Sequence, residues 1–273
     1  MKQILVATDF SNGAANAMEY AMALAKTLNM EVCAIHAIKP TEGVDNNIYN
    51  AMYIKDYYSN KRQALKEWVS KYTGKEEYKN IEVSTLCDVG QVKNVISKYI
   101  DEHHVELLVT GITGATGISG IVGSTASTLV NVVKIPTLIV PLESKFSKAP
   151  VITLATDYET RLSADDVNAL NEMVEAFGSD KMQVLYVGEK SELKNVETNE
   201  SKLQELIKHS QLEFNYISQS SPINGIIDFI EKNDTDILCL VKHHQNILYR
   251  LFTRSTVNQV MNRSVKAILV LHE

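Results

Sequence analysis

The sequence predicts an α/β protein built from two tandem halves, each a five-stranded parallel sheet with helices on both faces. Short apolar runs alternate with segments of helical periodicity along the chain, a pattern typical of parallel sheets. The order of these elements then repeats: Val151-Ile-Thr-Leu-Ala-Thr-Asp157 matches Ile4-Leu-Val-Ala-Thr-Asp9, with Ala-Thr-Asp identical. We therefore expect domains at 1–144 and 149–273, joined by a short polar linker.

In the first half, Ile4 to Ala7 is a buried strand, and Ser11 can cap the helix that follows, whose apolar residues fall at helical spacing from Ala15 to Ala25. The remaining elements are predicted in order as a strand at 31–38, a long helix over 54–72, a strand at 81–87, a helix at 92–103, a strand at 105–110, a helix at 124–133 and a strand at 136–141.

In the second half, Ser163 and Asp166 form a capping-box pattern before the first helix. The later elements are predicted as strands at 182–187 and 212–217, a helix at 223–232, and strands at 236–241 and 266–271. The final strands of the two halves are short and apolar, so we expect 137–140 and 267–271 to cover each other across a pseudo-twofold axis.

The composition excludes several classes of partner. The chain has 27 basic and 33 acidic residues, a net charge of −6, which argues against a nucleic-acid footprint. No segment has the length of a membrane span, and the first residues lack a signal-peptide pattern. Cys33, Cys87 and Cys239 are isolated in apolar runs, as expected for buried reduced thiols. We expect a cytoplasmic protein without nucleic-acid or membrane partners.

A glycine-rich segment, Gly111-Ile-Thr-Gly-Ala-Thr-Gly-Ile-Ser-Gly-Ile-Val-Gly-Ser-Thr125, lies between a predicted strand and a predicted helix. Glycine lets backbone N–H groups approach an anion, and the first turn of the helix offers unpaired donors. The segment therefore predicts a phosphate-binding loop and a nucleotide ligand. A valine at Gly111 or at Gly123 is expected to remove nucleotide binding and leave the fold intact.

Four spaced motifs carry a resemblance to a known family. They are Ala7-Thr-Asp-Phe-Ser11, the strand from Ile35 to Ile38, the Gly-x-x-Gly loop ending in Gly-Ser, and Pro136-Thr-Leu-Ile-Val140. In this order they resemble the universal stress protein family, and since both halves are covered the chain looks like a tandem member. The resemblance implies a Rossmann-like sandwich of the adenine-nucleotide α-hydrolase type, an ATP, ADP or AMP ligand with Mg²⁺ possible, and a binding rather than enzymatic role in stress response or signalling.

The resemblance also implies the contacts of the nucleotide. Asp9 would lie near the ribose and adenine, and the backbone of Ala37 would face the adenine edge. The ribose and phosphate contacts would be Thr110, Gly111 and Gly114, and the phosphate tail would be held by Gly123, Ser124 and Thr125. Eight residues separate Gly114 from Gly123, one fewer than the family spacing.

The second half has Val241, His244 and Arg254 where the first has glycines, and Val241 is expected to crowd the space for phosphate or ribose. This half is either kept for packing or is an anion site made of Lys242, His243, His244, Arg250 and Arg254. We expect one nucleotide per chain, and association of the halves as an intramolecular pseudo-dimer, with a homodimer also open.

Two other functions are open beside nucleotide binding. The protein could be a scaffold that binds no nucleotide, or an NAD(P)-dependent oxidoreductase that uses Gly114-Ala-Thr-Gly-Ile-Ser-Gly120 with Glu143 on the ribose. No GxxxxGK[ST] motif of a P-loop NTPase occurs. Cys239 and His243 would lie ~13 Å apart along a strand, too far to share a zinc ion. His36 is interpreted as a core histidine with its hydrogen bonds satisfied.

Overall fold

The structure is a computed structural model that describes residues 2–40, 42, 51–112, 124–158, 164–179, 181–189, 195–208, 210–242 and 254–272. The strands are β1 (Gln3–Ala7), β2 (Glu31–Ile38), β3 (Val83–Val89), β4 (Val105–Ile112), β5 (Thr137–Pro141), β6 (Ile152–Ala155), β7 (Lys181–Val187), β8 (Gln211–Ile217), β9 (Ile237–Lys242) and β10 (Ala267–His272). The α-helices are α1 (Asn12–Leu28), α2 (Ala51–Thr73), α3 (Val92–Glu102), α4 (Ser124–Val132), α5 (Ala164–Phe177), α6 (Val196–Leu206), α7 (Pro222–Lys232) and α8 (Arg254–Arg263), and a 3₁₀ turn spans Glu76–Tyr78.

All these strands form one ten-stranded sheet in the order β3-β2-β1-β4-β5-β10-β9-β6-β7-β8. The strands are parallel within each half, and β5 meets β10 antiparallel. Leu138 pairs with Leu269, and these two leucines are equivalent, because Leu138 lies beside Val109 and Leu269 beside Cys239 at the same step of the repeat. The predicted α/β class and the predicted pairing of the two final strands are confirmed.

The helices cover both faces of the sheet and share a core between the halves. On one face, buried side chains of α1 and α5 belong to a single apolar cluster with strands of both halves. On the other face α4 lies against α8, where the Ser127 hydroxyl donates to Asn258 Oδ1 at 3.1 Å. These two residues occupy equivalent positions in the repeat, so the pseudo-twofold axis passes near this contact.

Local signals explain most helix boundaries. Ser11 begins α1 with extended backbone, and its hydroxyl accepts a hydrogen bond from the N–H of Ala14 at 3.2 Å, as predicted. Asn29 ends the helix in the left-handed conformation, with φ of 52°. Ser221 and Pro222 begin α7 in the same manner. Ser163, the predicted cap of α5, lies outside the described residues.

Two parts of the prediction differ from the structure. The third strand lies at Val83–Val89, two residues later than expected. Helix α6 was not predicted at all, because none of its residues is buried and it carries no apolar stripe that a periodicity analysis could find.

The three cysteines are free and buried, as predicted. Burial raises the pKa of the Cys239 thiol to about 12, which keeps it protonated and unreactive at neutral pH. Among the described helices, none has the length and apolar character needed to cross a membrane.

Candidate functional site

The strand order creates a crevice at the carboxyl ends of the first-half strands. β1 lies between β2 and β4. From β2 the chain continues to β3 on one side of β1, and from β4 it continues to β5 on the other side. Open α/β sheets bind ligands at such a switch point. Asp9 follows β1 and Gly111 lies near the end of β4, so both residues border the crevice.

The turn after β1 fixes the backbone of Asp9. The Thr8 hydroxyl accepts from the N–H of Phe10 at 3.0 Å, and Asp9 Oδ1 accepts from the N–H of Ser11 at 3.0 Å. Phe10 has φ of 66°, a left-handed conformation that a bulky residue adopts only where surrounding contacts enforce it. Asp9 is exposed, and within the described residues no donor meets its Oδ2. A carboxylate oxygen is therefore available at the crevice.

The backbone of Ala37 also faces this crevice. The C=O of Ile38 accepts from Gly90 on the β3 side, so the alternate residues of β2 direct their N–H and C=O groups toward β1. The β1 ladder ends with the bond from the N–H of Thr8 to the C=O of Ile35 at 2.9 Å. No described backbone group pairs with Ala37 on that side, which leaves one donor and one acceptor next to Asp9.

The side chain of His36 contacts the turn that follows β1. Its Nδ1 donates to the C=O of Thr8 at 2.8 Å, and its ring lies 4.5 Å from that of Phe10. The side chain is 7% exposed, and its Nε2 has no hydrogen-bond partner within the described part of the chain. The prediction that His36 is a core histidine is confirmed for its burial but is wrong for its hydrogen bonds, because only one of the two ring nitrogens has a partner within the described residues.

Gly111 has a packing role that the sequence analysis missed. A Cβ built on Gly111 would lie 2.1 Å from the C=O oxygen of Gly13 at the start of α1. A valine at Gly111 would therefore push α1 away from β4, and the expectation that it leaves the fold intact is wrong. The signal available in the sequence was the second glycine, Gly13, two residues after the helix cap Ser11.

Some of the other residues predicted to contact the nucleotide lie in the described part of the chain, and some lie outside it. Thr110 is 3% exposed within β4. Ser124 begins α4, and Thr125 is half-buried in its first turn. Since α4 connects the carboxyl end of β4 to the amino end of β5, its N-terminus lies at the edge that carries Asp9. Gly114 and Gly123 lie outside the described residues.

The second half repeats the β1 turn. Thr156 accepts from the N–H of Tyr158 at 2.9 Å, and Tyr158 has φ of 60°. Asp157 is 5% exposed, whereas the equivalent Asp9 is exposed. The Asp157 carboxylate is therefore shielded from solvent, unlike that of Asp9.

A cluster of tyrosines, not anticipated from the sequence, lies beside this second turn. Tyr158, Tyr186 and Tyr216 stand at the positions of Phe10, His36 and Cys87. The Tyr158 and Tyr216 hydroxyls are 3.1 Å apart, and the Tyr216 hydroxyl donates to the carboxylate of Glu200 on α6.

The residues that replace the glycine loop are only partly described. Val241 is 3% exposed and packs in the core, so it does not crowd a ligand position as expected. Lys242 is 5% exposed, and its Nζ donates to the C=O of Val130 in α4 at 2.9 Å. This places Lys242 in the contact between the halves. His243, His244 and Arg250 lie outside the described residues, as does the side chain of Arg254.

The described part of the first-half site combines groups that suit a polar ligand. It offers a carboxylate oxygen, an unpaired backbone donor and acceptor, and a helix N-terminus. Within the described residues no group of three or more His, Cys, Asp or Glu side chains could hold a metal ion.

Two solved structures that cover 99% of this chain agree with its whole architecture, and a third is similar over about half of it. A universal stress protein from Archaeoglobus fulgidus DSM 4304 is 17% identical, covers 99% of this chain and 98% of its own, and has a TM-score of 0.77. A putative universal stress protein from Pseudomonas aeruginosa UCBPP-PA14 is 12% identical, covers 99% and 92%, and has a TM-score of 0.55. A universal stress protein solved in complex with cAMP is 23% identical, covers 51% and 96%, and has a TM-score of 0.40.

No sequence among the curated proteins matches the chain significantly. The profile of the universal stress protein family matches residues 1–141. This range contains β1 to β5, the switch-point crevice and the four motifs on which the resemblance rests. The chain belongs to the universal stress protein family.

Proposed function

We propose that the chain binds one adenine nucleotide of the ATP class in its first half and acts as a nucleotide-dependent stress or signalling module. The observation that carries this proposal is the unpaired edge of Ala37 beside the Asp9 carboxylate. The adenine edge has an amino donor and ring-nitrogen acceptors that match a strand N–H and C=O. A carboxylate at the next strand end matches the ribose hydroxyls.

The phosphates would extend toward Gly111 and the N-terminus of α4, where Ser124 and Thr125 begin the helix. Unpaired N–H groups and the helix dipole favour negative charge at that point. Gly114 and Gly123 belong to the proposed phosphate loop, and Mg²⁺ would accompany the phosphates. The module would act in the cytoplasm through a change in its nucleotide state.

The first test identifies the ligand and its number. Mass spectrometry of ligand released from denatured protein, with calorimetric titration of ATP, is expected to give one adenine nucleotide per chain. Two equivalent sites per chain would contradict the proposal, and NADH binding tighter than ATP would favour an oxidoreductase. A protein that binds neither would be a scaffold.

The second test uses a matched pair of variants. In Asp9→Asn, Oδ1 can still accept from Ser11, but the charge and one acceptor are lost. We expect ATP affinity to fall by about 10-fold, the effect of one hydrogen bond to a charged group. Asp157→Asn makes the same change at the buried equivalent and is expected to leave ATP affinity unchanged. The opposite pattern would assign the nucleotide to the second half.

A further inference from the structure

A groove of about 650 Å³ runs along the outer face of α1, away from the switch-point crevice. Its walls come from α1, the 3₁₀ turn and residues 145–148 of the linker. This volume lies within the range of small-molecule sites. None of the described candidate nucleotide contacts, Asp9, Ala37, Thr110 and Gly111, lines the groove.

The groove carries unbalanced positive charge. Lys26, Lys145 and Lys148 line it, and none of the three has an acidic partner within the described residues. The acid Glu19 is already engaged, since Lys75 Nζ lies 2.5 Å from its carboxylate and the Tyr78 hydroxyl donates to it at 3.0 Å. Three lysines therefore face one unpaired acid, Glu77, in a protein of net charge −6.

Aromatic side chains form the floor of the groove. Tyr20 and Phe146 meet edge to face with ring centroids 5.3 Å apart, and Phe146 lies 6.0 Å from Phe177 on α5. Tyr20 and Tyr78 are 3% and 5% exposed, so their rings are held in place by packing. A flat apolar group could stack or pack here at little entropic cost to the protein.

The linker is fixed to α1 at one end of the groove. Asn16 Nδ2 donates to the C=O of Pro141 at 2.8 Å and to the C=O of Ser144 at 2.9 Å. Lys145 and Phe146 directly follow this anchor, so the hydrogen bonds from α1 hold the linker wall in place. Preorganisation of this kind lowers the cost of binding.

We infer that this groove is a second ligand site, specific for a small organic dianion with a flat apolar part, such as an aryl phosphate. The anionic group lies among Lys26, Lys145 and Lys148, and the flat part packs on the half-buried ring of Phe146, which Tyr20 holds in place. Because the walls include the linker between the halves, a ligand here cross-links α1 to that linker. The site does not depend on the nucleotide function proposed above.

The probe for the test is 1-naphthyl phosphate, whose binding can be measured by its own fluorescence and by calorimetry. We expect one site per chain on the full protein. The triple variant Lys26→Gln, Lys145→Gln, Lys148→Gln is expected to weaken binding at least 10-fold. The matched control Lys134→Gln, Lys202→Gln, Lys208→Gln changes the net charge equally at exposed lysines elsewhere and is expected to bind as the parent does.

Competition separates this site from the nucleotide site. Saturating ATP is expected to leave naphthyl phosphate bound, and Asp9→Asn is expected to bind it with unchanged affinity. Displacement by ATP would overturn the inference, because the probe would then occupy the crevice at β1. Equal weakening in both triple variants would also overturn it, because attraction would then be a property of the whole surface charge.

Discussion

The two halves hold different residues at one equivalent position, Gly111 in β4 and Val241 in β9. In the first half, residues 8–11 join β1 to α1, and α1 begins so close to β4 that the C=O oxygen of Gly13 lies 2.1 Å from where a Cβ on Gly111 would be. In the second half, Val241 carries a full side chain and is buried in the core.

This difference changes what the valine at position 241 implies about nucleotide binding in the second half. The sequence alone suggests that Gly111 was retained for phosphate and that Val241 marks a lost site. The structure shows that Gly111 is required by the close approach of α1 in any case. The glycine at this position therefore reports helix placement, and nucleotide binding has to be judged from Asp9, Ala37 and the rest of the loop.

A second difference between the halves preserves packing volume. Ala37 and Val95 of the first half correspond to Val187 and Gly225 of the second. A Cβ on Gly225 would lie 2.4 Å from Cγ1 of Val187, so the larger strand residue is accommodated by the absent helix side chain. At this contact between strand and helix, the larger side chain is thus on the helix in the first half, as Val95, and on the strand in the second half, as Val187.

The largest expected effect tests the contact between α1 and β4. In many strands Gly→Ala stabilises the fold by restricting the unfolded chain. Gly111→Ala is expected to do the reverse and lower the free energy of unfolding by more than about 2 kcal/mol, because its Cβ meets the rigid backbone of Gly13. Urea unfolding measures this effect.

The control for this prediction is Gly74→Ala, at an exposed glycine whose nearest neighbour to a Cβ is the Ser70 oxygen at 3.1 Å. We expect it to change stability by less than about 1 kcal/mol. If Gly111→Ala were as stable as the parent protein, the glycine would be free of α1 and would be explained by a ligand alone.

The next effect tests whether the large side chain of Val187 requires a glycine at position 225. Gly225→Val alone is expected to cost about 2–3 kcal/mol, because the added side chain overlaps Val187. Adding Val187→Ala recreates the pair Ala37 and Val95 and is expected to recover at least about 1 kcal/mol. A double-mutant cycle from urea unfolding gives the coupling energy.

Val187→Ala combined with Gly74→Ala is the control cycle, since these positions lie in different halves and share no contact surface. Here the two changes are expected to add within about 0.5 kcal/mol. If the Gly225 cycle were additive as well, α7 would shift to relieve the overlap. The sizes of the side chains at 187 and 225 would then not depend on each other.

Much of the fold could be predicted because its signals are local. Ser11 and the apolar spacing after it define α1, and the repeated Ala-Thr-Asp aligns the two halves before any contact is known. The pairing of β5 with β10 followed from two short apolar edges that need cover. Helix α6 gave no such signal, since none of its residues is buried and Leu203 packs against the core while only partly buried.

The candidate site was predictable only in part, for a physical reason. Asp9 and Ala37 came from the resemblance of the motifs around β1 and β2 to those of the universal stress protein family, and both residues lie near strand ends that are predictable within a residue or two. The contact of Gly13 with Gly111 joins residues far apart in the chain and depends on where a helix axis lies. The tyrosine cluster likewise needs the alignment of three strands, with Tyr186 beside Tyr216 in the β7–β8 register.

The smallest expected effect concerns this tyrosine cluster, which has no hydroxyl counterpart at Phe10 and Cys87 in the first half. Burial, together with the hydrogen bond to Glu200, raises the pKa of Tyr216 to about 12. An unfolded tyrosine titrates near 10. The native state therefore holds this proton more tightly, so the stabilisation is complete below about pH 10 and is lost as the pH rises toward 12.

Tyr216→Phe removes this contribution, so the difference in Tm between the parent and the variant is expected to be constant from pH 7 to 9 and to shrink above pH 10. Tyrosines away from the cluster titrate in both proteins and cancel in the difference, whereas Tyr158, whose pKa is raised by burial and also by its hydrogen bond with Tyr216, adds a change of the same sign. In Glu200→Gln the carboxylate that raises the pKa of Tyr216 is gone, so the decline is expected to begin at lower pH. A Tm difference that stays flat to pH 11.5 would mean that Tyr216 is solvated as in the unfolded chain and that α6 does not cover it, which would leave the second half without the polar contact that distinguishes it from the first.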